Sequence, residues 1–313
     1  RHGGVRLISA PSVTLRKVQK WILRNILRTV KIHDAATAYR NKRSILHNAA
    51  HHTGKDIVVR IDLKDFLHSI NYERVKRIFL SLGYQGDISE ALAALTTASA
   101  HGWNRHLRYS SEGPIRYTWL PQGAPTSPAI SNIVCLSLDT ILSKMDHVTY
   151  TRYADDLVFS WNLDEVELSV GSLLGYVRRI VGREGFSINP EKTRVMRRAQ
   201  RQIVNGLIVN AQSPRVSRSD MRRFRVLLHH IESEGVEVVT EKLGCDALAH
   251  ANGIISYVYM INPEQARRLS KKHSWLGINR LASNRKRDLS RRAVSYARII
   301  SKTESWRKRH STK

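Results

Sequence analysis

The chain has 313 residues, of which 42% are hydrophobic. This length corresponds to about two ordinary domains, and the apolar fraction can build buried cores, which excludes a disordered or fibrous protein. Lysine and arginine total 52 against 26 acidic residues, so the net charge is +26. Because a charge of this size is self-repulsive, it favours a polyanionic partner, and nucleic acid is the first candidate.

The sequence also bears on compartment. Its apolar runs are shorter than the roughly 18 residues of a membrane span, and its start does not resemble a signal peptide, so we expect a cytoplasmic protein with no membrane partner. The two cysteines, Cys135 and Cys245, match neither a disulfide framework nor a zinc pair, which predicts small buried residues in a reducing compartment. Since the chain begins at Arg1, we expect an upstream segment to be missing.

The first 210 residues show the hydrophobic spacing of a continuous α/β body. The predicted strands are 5–8, 58–61, 148–153, 157–161, 193–196 and 203–209. The predicted helices are 15–30, 72–82, 88–100, 127–141 and 168–181. Residues 101–119 are predicted to form a loop or hairpin, and residues 121–125 cannot be regular because they hold two prolines and a glycine.

Beyond a boundary near Ser213 and Pro214 the pattern becomes helical. The predicted helices are 221–231, 236–248, 254–260, 263–269 and 289–300. Residues 264–313 contain 16 lysines and arginines against three acidic residues, a charge of 16 − 3 = +13. We expect this tail to lie against nucleic acid, the alternative being a solvated helical surface.

Three carboxylates stand at the ends of predicted strands in this otherwise basic chain. Asp62 follows an apolar strand, and Asp155 and Asp156 lie at the tip of a predicted hairpin. If the strands are neighbours, the three side chains lie close enough to share metal ions. Mg²⁺ takes carboxylate oxygens, and a pair of such ions suits phosphoryl transfer. Taken alone, an Asp-Asp pair is more typical of a turn.

Four motifs then occur in an order that resembles reverse transcriptases, over about residues 6–210. They are 60–66 (Arg-Ile-Asp-Leu-Lys-Asp-Phe), 120–128 (Leu-Pro-Gln-Gly-Ala-Pro-Thr-Ser-Pro), 153–156 (Tyr-Ala-Asp-Asp), and Gly185, Asn189, Lys192 and Thr193 followed by 204–207 (Val-Asn-Gly-Leu). Residues 48–52 (Asn-Ala-Ala-His-His) and the segment 10–27 most resemble the bacterial retron subgroup.

The resemblance implies an α/β right-hand polymerase with fingers, a palm of antiparallel sheet plus helices, and a helical thumb. It assigns residues 1–212 to fingers and palm and residues 213–313 to a basic helical thumb.

The resemblance also implies catalytic roles. Asp62 and Asp155 would hold two Mg²⁺ ions, Asp156 would orient or ligate them, and the backbone oxygen of Leu63 would complete the metal ligands. Lys192 matches a lysine that protonates the departing pyrophosphate, the alternative being a surface lysine in a turn.

A second set of residues is expected to bind the deoxynucleotide substrates. Arg6 matches a position that holds the triphosphate, the alternative being an ordinary surface arginine. Gln122 and Gly123 resemble residues that line the nucleotide and template. Leu67, next to Phe66, stands where the family commonly has an aromatic that excludes ribonucleotides, so we expect weaker exclusion.

Some residues carry open alternatives. Asn205 replaces the threonine of the subgroup's Val-Thr-Gly hairpin. His51 and His52 contact either RNA or the palm, and adjacent histidines do not suit a metal site because they face different ways. Four aromatic side chains are candidates for stacking on unpaired bases, namely Tyr257, Tyr259, Trp275 and Trp306, and core packing is the alternative for the two tyrosines. Tyr153 is a candidate for contact with primer or template, the alternative being a core aromatic.

The resemblance implies an RNA-directed DNA polymerase that copies a structured noncoding RNA into RNA-linked multicopy single-stranded DNA in antiphage defence. Its partners would be the RNA template and primer, the RNA–DNA hybrid, an effector protein and a host RNase H. The alternatives are a group II intron-like or other defence-associated reverse transcriptase, a non-catalytic RNA-binding protein on a polymerase scaffold, and an RNA-dependent RNA polymerase.

Overall fold

The structure, a computed structural model, describes residues 8–99 and 118–276. Arg6, Trp306, the predicted helix 289–300 and most of the predicted strand 5–8 lie outside the described residues. The chain divides into two compact units. Unit 1 comprises Arg1–Tyr39, Val59–Phe159 and Leu163–Val195. Unit 2 comprises Arg40–Val58, Ser160–Asn162 and Met196–Lys313.

The helices of the described residues follow one another through both units. They are α1 (Val13–Asn25), α2 (Ile45–Ala50), α3 (Tyr72–Ser81), α4 (Gly86–Thr96), α5 (Ser127–Val134), α6 (Leu136–Leu142), α7 (Val170–Arg183), α8 (Arg218–Glu234), α9 (Val236–Leu243), α10 (Ala247–Ile261) and α11 (Pro263–Lys272). A 3₁₀ turn, Leu27–Thr29, follows α1. No helix in these described ranges is both long and apolar enough to cross a membrane.

The strands form one larger sheet and two short pairs. They are β1 (Ile57–Leu63), β2 (Ala98–Ser99), β3 (Thr118–Trp119), β4 (Thr149–Tyr153), β5 (Asp156–Trp161), β6 (Ile188–Arg197), β7 (Ile203–Val204) and β8 (Leu207–Ile208). The larger sheet has the order β4-β5-β1-β6, while β2 pairs with β3 and β7 with β8, both antiparallel. Only two residues join β4 to β5, which makes this pair an antiparallel hairpin.

Side-chain caps explain where several helices begin. Ser12 accepts the Leu15 N–H at 3.3 Å before α1, Asn71 accepts the Arg74 N–H at 3.0 Å before α3, and Ser217 accepts the Asp220 N–H at 3.0 Å before α8. These short polar side chains satisfy amide groups that the first helical turn leaves without partners. The predicted starts of α1, α3 and α8 therefore lie within three residues of the observed ones.

Other predicted bounds were wrong, for local reasons. The predicted helix 127–141 is broken at Cys135 into α5 and α6. The predicted helix 236–248 ends at Leu243, because Gly244 takes a left-handed φ of 64°, which glycine adopts at no steric cost. The predicted strand 203–209 is the β7–β8 hairpin, turned by Asn205 and Gly206 with φ of 48° and 83°, as expected of a two-residue Asn-Gly turn.

Each unit has its own apolar core. The central strand β1, which lies in unit 1 from Val59 onward, is buried along nearly its whole length with little alternation, and it has a sheet neighbour on each side. In unit 2 the core joins α8, α9, α10 and α11 through buried residues that include Phe224, Leu228, Ile255 and Val258. Cys135 is fully buried and Cys245 is half-buried, and both are free thiols.

Candidate active site

Strand pairing in unit 1 brings the predicted carboxylates to one end of β1. Because β5 lies beside β1, the Leu63 N–H donates to the carbonyl oxygen of Asp155 at 2.9 Å. Asp62 is buried one residue before the end of β1. The hairpin tip consists of Ala154 and Asp155, whereas Asp156 is the first residue of β5, so the expectation of two carboxylates at the tip was wrong by one residue.

The electrostatics of Asp156 reflect this proximity. Burial raises the pKa of Asp156 to about 6, Arg60 opposes the increase, Asp155 and Asp62 add to it, and Lys192 opposes it again. Carboxylates raise one another's pKa only when their charges are close. The three acidic side chains therefore share one partly dehydrated environment.

Basic side chains neutralise two of these carboxylates. The Lys192 ammonium, carried by β6, donates to both oxygens of Asp62 at 3.1 Å. Arg60 Nε lies 3.5 Å from Asp156 Oδ1. The Asp62 side chain is only 9% exposed and that of Lys192 is 50% exposed, so the lysine reaches the buried carboxylate from the solvent side.

Within residues 8–99 and 118–276, no group of three His, Cys, Asp or Glu side chains is arranged to hold a metal ion. Asp62 is paired with Lys192, and Asp156 lies near Arg60. The chemistry of the donors still fits Mg²⁺, since carboxylate oxygens are the hard ligands that this ion prefers.

A buried ion pair beside the hairpin was not expected from the sequence. Arg152 donates from Nε and Nη2 to the two carboxylate oxygens of Asp139 at 2.9 and 2.7 Å, and both side chains are fully buried. The same carboxylate accepts the Tyr150 hydroxyl at 2.8 Å. A planar guanidinium suits such two-point binding.

Arg152 also holds the tip directly. Its Nη1 donates to the carbonyl oxygen of Ala154 at 3.2 Å and to Asn132 Oδ1 at 3.1 Å. Ala154 has a left-handed φ of 59°, which costs an alanine about 1 kcal/mol. Arg152 therefore holds the left-handed backbone of Ala154, the residue next to Asp155. The signals that could have indicated it are an arginine inside a β-run and an aspartate among the apolar residues of α6.

Two loop residues, Gln122 and Gly123, were expected to line the nucleotide. In the structure they lie against residues 8 and 9, at the start of the described chain. The main-chain carbonyl oxygen of Gln122 accepts a hydrogen bond from the Ser9 N–H at 3.0 Å. Gly123 has a φ of 123°, and a Cβ there would lie 3.4 Å from both Ile8 Cγ2 and the Ser9 carbonyl oxygen. Glycine is therefore favoured here by the backbone conformation, since the φ of 123° is one that other residues rarely adopt.

Phe66, the last residue of the 60–66 motif, and Leu67, which follows it, contact residues from other segments of unit 1. Phe66 is buried with its ring centroid 5.5 Å from that of Phe186, over which Arg74 lies at 4.3 Å. Leu67 is half-buried, and its carbonyl oxygen accepts the Leu120 N–H at 3.1 Å. The backbone of Leu67 thus fixes the start of the 121–125 loop.

In unit 2, the residues typical of the subgroup contact one another or the core. The Asn48 amide donates to the Asn205 side-chain oxygen, so asparagine at position 205 is both a turn residue and a hydrogen-bond partner for the buried Asn48. His52 is fully buried against Ser160 Oγ at 2.7 Å, which places it in the core and not at an RNA-binding surface. His51 is exposed.

The aromatic residues of unit 2 mostly pack internally. Tyr257 is buried, and Tyr259 and Trp275 are partly buried against the unit 2 core. The Trp275 indole N–H donates to Glu232 at 3.0 Å. The core-packing alternative is therefore confirmed for the two tyrosines.

The sequence is similar to those of known proteins. The sequence model of the family described as reverse transcriptase (RNA-dependent DNA polymerase) matches residues 1–278. The retron Mx162 reverse transcriptase of Myxococcus xanthus is 37% identical over 290 residues, covering 85% of this chain and 57% of the relative. The retron Mx65 reverse transcriptase of the same organism is 38% identical over 275 residues, covering 87% of this chain and 62% of the relative.

A third relative is covered more fully. The retron Ec83 reverse transcriptase of Escherichia coli is 32% identical over 275 residues, covering 86% of this chain and 83% of the relative. The chain spans less than two thirds of the length of the two Myxococcus relatives. From the family match and these relatives, the chain belongs to the reverse transcriptase family and is of the retron type.

Proposed function

We propose that this chain is an RNA-directed DNA polymerase that adds deoxynucleotides to a primer along an RNA template. The observation that carries the proposal is the convergence of Asp62, Asp155 and Asp156 at one end of β1 in a chain of this family. Lys192 and Arg60 offset part of the cost of burying these carboxylates, and a cluster of close carboxylates with a raised pKa is typical of functional sites.

The carboxylates of Asp62, Asp155 and Asp156, with the backbone oxygen of Leu63, would hold two Mg²⁺ ions. When bound, such ions activate the attacking hydroxyl and stabilise the leaving phosphate oxygen. Arg152 and Asp139 keep the Ala154–Asp155 turn in place, so that the carboxylate of Asp155 is presented without reorganisation. Preorganised charge of this kind is a major source of catalytic rate.

Lys192 would supply the proton for the departing pyrophosphate. Its ammonium lies 3.1 Å from both oxygens of Asp62 while half of its side chain faces solvent. A proton donor must lie within hydrogen-bond reach of the reacting group. In this position the ammonium can move from the carboxylate to an incoming phosphate without leaving the site.

In the proposed organisation, residues 1–212 form the fingers and palm and residues 213–313 form the helical thumb. Arg6, Gln122 and Gly123 would contact the nucleotide and template, and Phe66 and Leu67 would lie near its sugar. Leucine at position 67 would exclude ribonucleotides less strictly than an aromatic.

The finer proposal is that the template is a structured noncoding RNA and the product RNA-linked multicopy single-stranded DNA made in antiphage defence. An effector protein would act with the enzyme, and a host RNase H would remove template. The support for this proposal is the similarity to several retron reverse transcriptases.

Primer extension on poly(rA)·oligo(dT) with Mg²⁺ tests the polymerase. Asp155→Asn should lower dTMP incorporation by at least about 100-fold, a loss typical of removing one preorganised charged group. Asp164→Asn, an exposed aspartate between β5 and α7, is the matched control and should keep wild-type incorporation.

Equal incorporation by the wild type and Asp155→Asn would instead favour the non-catalytic scaffold. Preference for ribonucleotides over deoxynucleotides on the same template would favour an RNA-dependent RNA polymerase.

A further inference from the structure

A cavity of about 330 Å³ lies between α8 and α9 in unit 2, and it has no part in the carboxylate site. Its floor is apolar and includes Leu227, Val239, Leu243 and Val226. Val226 is 45% exposed although it is a large aliphatic residue on a helix. A cavity of this volume falls in the range of sites that bind small ligands or single residues of a polymer.

Cationic side chains surround this floor. Arg218, Arg222 and Arg223 line the cavity from α8 and Lys242 lines it from α9. Arg223 lies 3.5 Å from Asp220, and Lys242 contacts Glu234. Arg218, Arg222 and Val226 are exposed. They are spaced by four residues, so they lie on the same face of α8. With Glu234 as its carboxylate, the lining of the cavity is predominantly positive.

The charge of the lining decides which occupant fits. Residues 277–313 contain 12 lysines and arginines against two acidic residues, so this tail would be repelled by the arginines. The positive lining would also repel a second copy of this chain, which has a net charge of +26. The complementary occupant is anionic and carries an apolar group for the floor.

We propose that this cavity binds one unpaired nucleotide of a single-stranded RNA segment. The base would lie on Val226, Leu227 and Val239, and the adjoining phosphates would meet Arg218 and Arg222. Guanidinium groups bind phosphate in two-point fashion and stack on bases. Paired bases cannot enter such a cavity, because in a duplex they are stacked on one another.

This inference rests on the proposed function for the choice of RNA as partner, and it adds a site for unpaired RNA. Its test measures equilibrium binding, whereas the polymerase test measures synthesis. If the wild type fails to extend a primer but the binding results below hold, the proposed function fails and this inference stands.

The first experiment fills the cavity. The fluorescence of 2-aminopurine in a single-stranded RNA 12-mer is titrated with the full chain, with Val226→Trp and with Val238→Trp. Val238 is the matched control because it is a similarly exposed valine (42% against 45%), on α9, outside the cavity lining. Because filling the cavity removes the burial of one base on aliphatic side chains, and burying an apolar group of that size contributes about 1.5–3 kcal/mol, Val226→Trp should weaken binding about tenfold, and Val238→Trp should leave it within about twofold.

The second experiment separates local contact from overall charge. Arg222→Gln removes a lining cation, and Arg225→Gln removes an exposed cation of α8 outside the lining. Arg222→Gln should weaken binding of the single-stranded 12-mer more than Arg225→Gln does. For Arg222→Gln, the slope of the logarithm of the binding constant against the logarithm of the salt concentration should fall in magnitude by about one. Binding of a blunt RNA duplex should be the same for Val226→Trp and the wild type.

Several results would overturn the proposal. The first is unchanged affinity of Val226→Trp for the single strand. The second is an equal loss of affinity in Arg222→Gln and Arg225→Gln. The third is a loss of affinity in Val226→Trp that is as large for the duplex as for the single strand. If free AMP displaced the RNA with an inhibition constant equal to the dissociation constant of the RNA 12-mer, the cavity would be a site for a free nucleotide. Displacement of the RNA from the wild type, but not from Val226→Trp, by anionic phospholipid vesicles would show a lipid site.

Discussion

One titratable side chain buried in each unit has a different kind of partner. Unit 1 buries Arg152 and Asp139 as an ion pair with no exposed side-chain surface. Unit 2 buries His52 against a neutral partner, Ser160, and leaves cations such as Arg222 exposed. A buried charge is costly unless it is paired, so unit 1 uses charge to fix one backbone turn. Unit 2 keeps its charge at the surface, where a polyanion can reach it.

The largest effect is expected from removing the buried cation of unit 1. Arg152→Met leaves Asp139 buried without its guanidinium partner, and the free energy of unfolding should fall by about 3–5 kcal/mol. Urea unfolding followed by circular dichroism measures this change. Replacing both residues, Arg152→Met with Asp139→Leu, should recover much of the loss, because no unpaired charge then remains.

Arg183→Met is the control for this prediction, since Arg183 is an exposed arginine at the end of α7. Its unfolding free energy should change by no more than about 0.5 kcal/mol. If Arg152→Met were as mild as Arg183→Met, the pair would not hold the turn.

A smaller effect tests the uncharged core of unit 2. Burial, with smaller contributions from His51 and Lys55, lowers the pKa of His52 to about 3, against about 6.5 in an unfolded chain. Below pH 6.5 the unfolded chain therefore binds a proton that the folded chain does not, and stability falls as the pH falls. Between pH 7.5 and 5.0 this histidine alone should cost about 2 kcal/mol.

His52→Gln keeps a hydrogen-bonding group near Ser160 and removes the titration. Urea unfolding at the two pH values should show a pH-dependent loss smaller than that of the wild type by about 2 kcal/mol. His229→Gln, at an exposed position of α8, should retain the wild-type loss. An undiminished loss in His52→Gln would mean that His52 is not held neutral in the folded protein.

The hairpin that carries Asp155 was predictable because it depends on local signals. The β-rich runs on either side of Ala154 and Asp155 predicted β4 and β5 to within one residue at each end. The convergence of Asp62 with the hairpin followed only from the family resemblance, since strand order depends on contacts between distant segments. The order β4-β5-β1-β6 supplies that information.

The Arg152–Asp139 pair could not be predicted, because charged residues are ordinarily exposed and their burial depends on tertiary packing. The end of α1 was missed for a related reason. Its apolar spacing continues to Val30, but the helix ends at Asn25 and Leu27 is buried in a 3₁₀ turn. Tertiary packing overrides helix propensity at such positions.

The central claim is that Asp62, Asp155 and Asp156 together bind divalent cations. Electron paramagnetic resonance of Mn²⁺, used in place of Mg²⁺, counts free and bound ions without requiring synthesis. We predict that the wild type binds Mn²⁺ and that Asp155→Asn lowers the affinity by at least about tenfold, while Asp164→Asn does not. Equal Mn²⁺ binding by the wild type and Asp155→Asn would contradict the account.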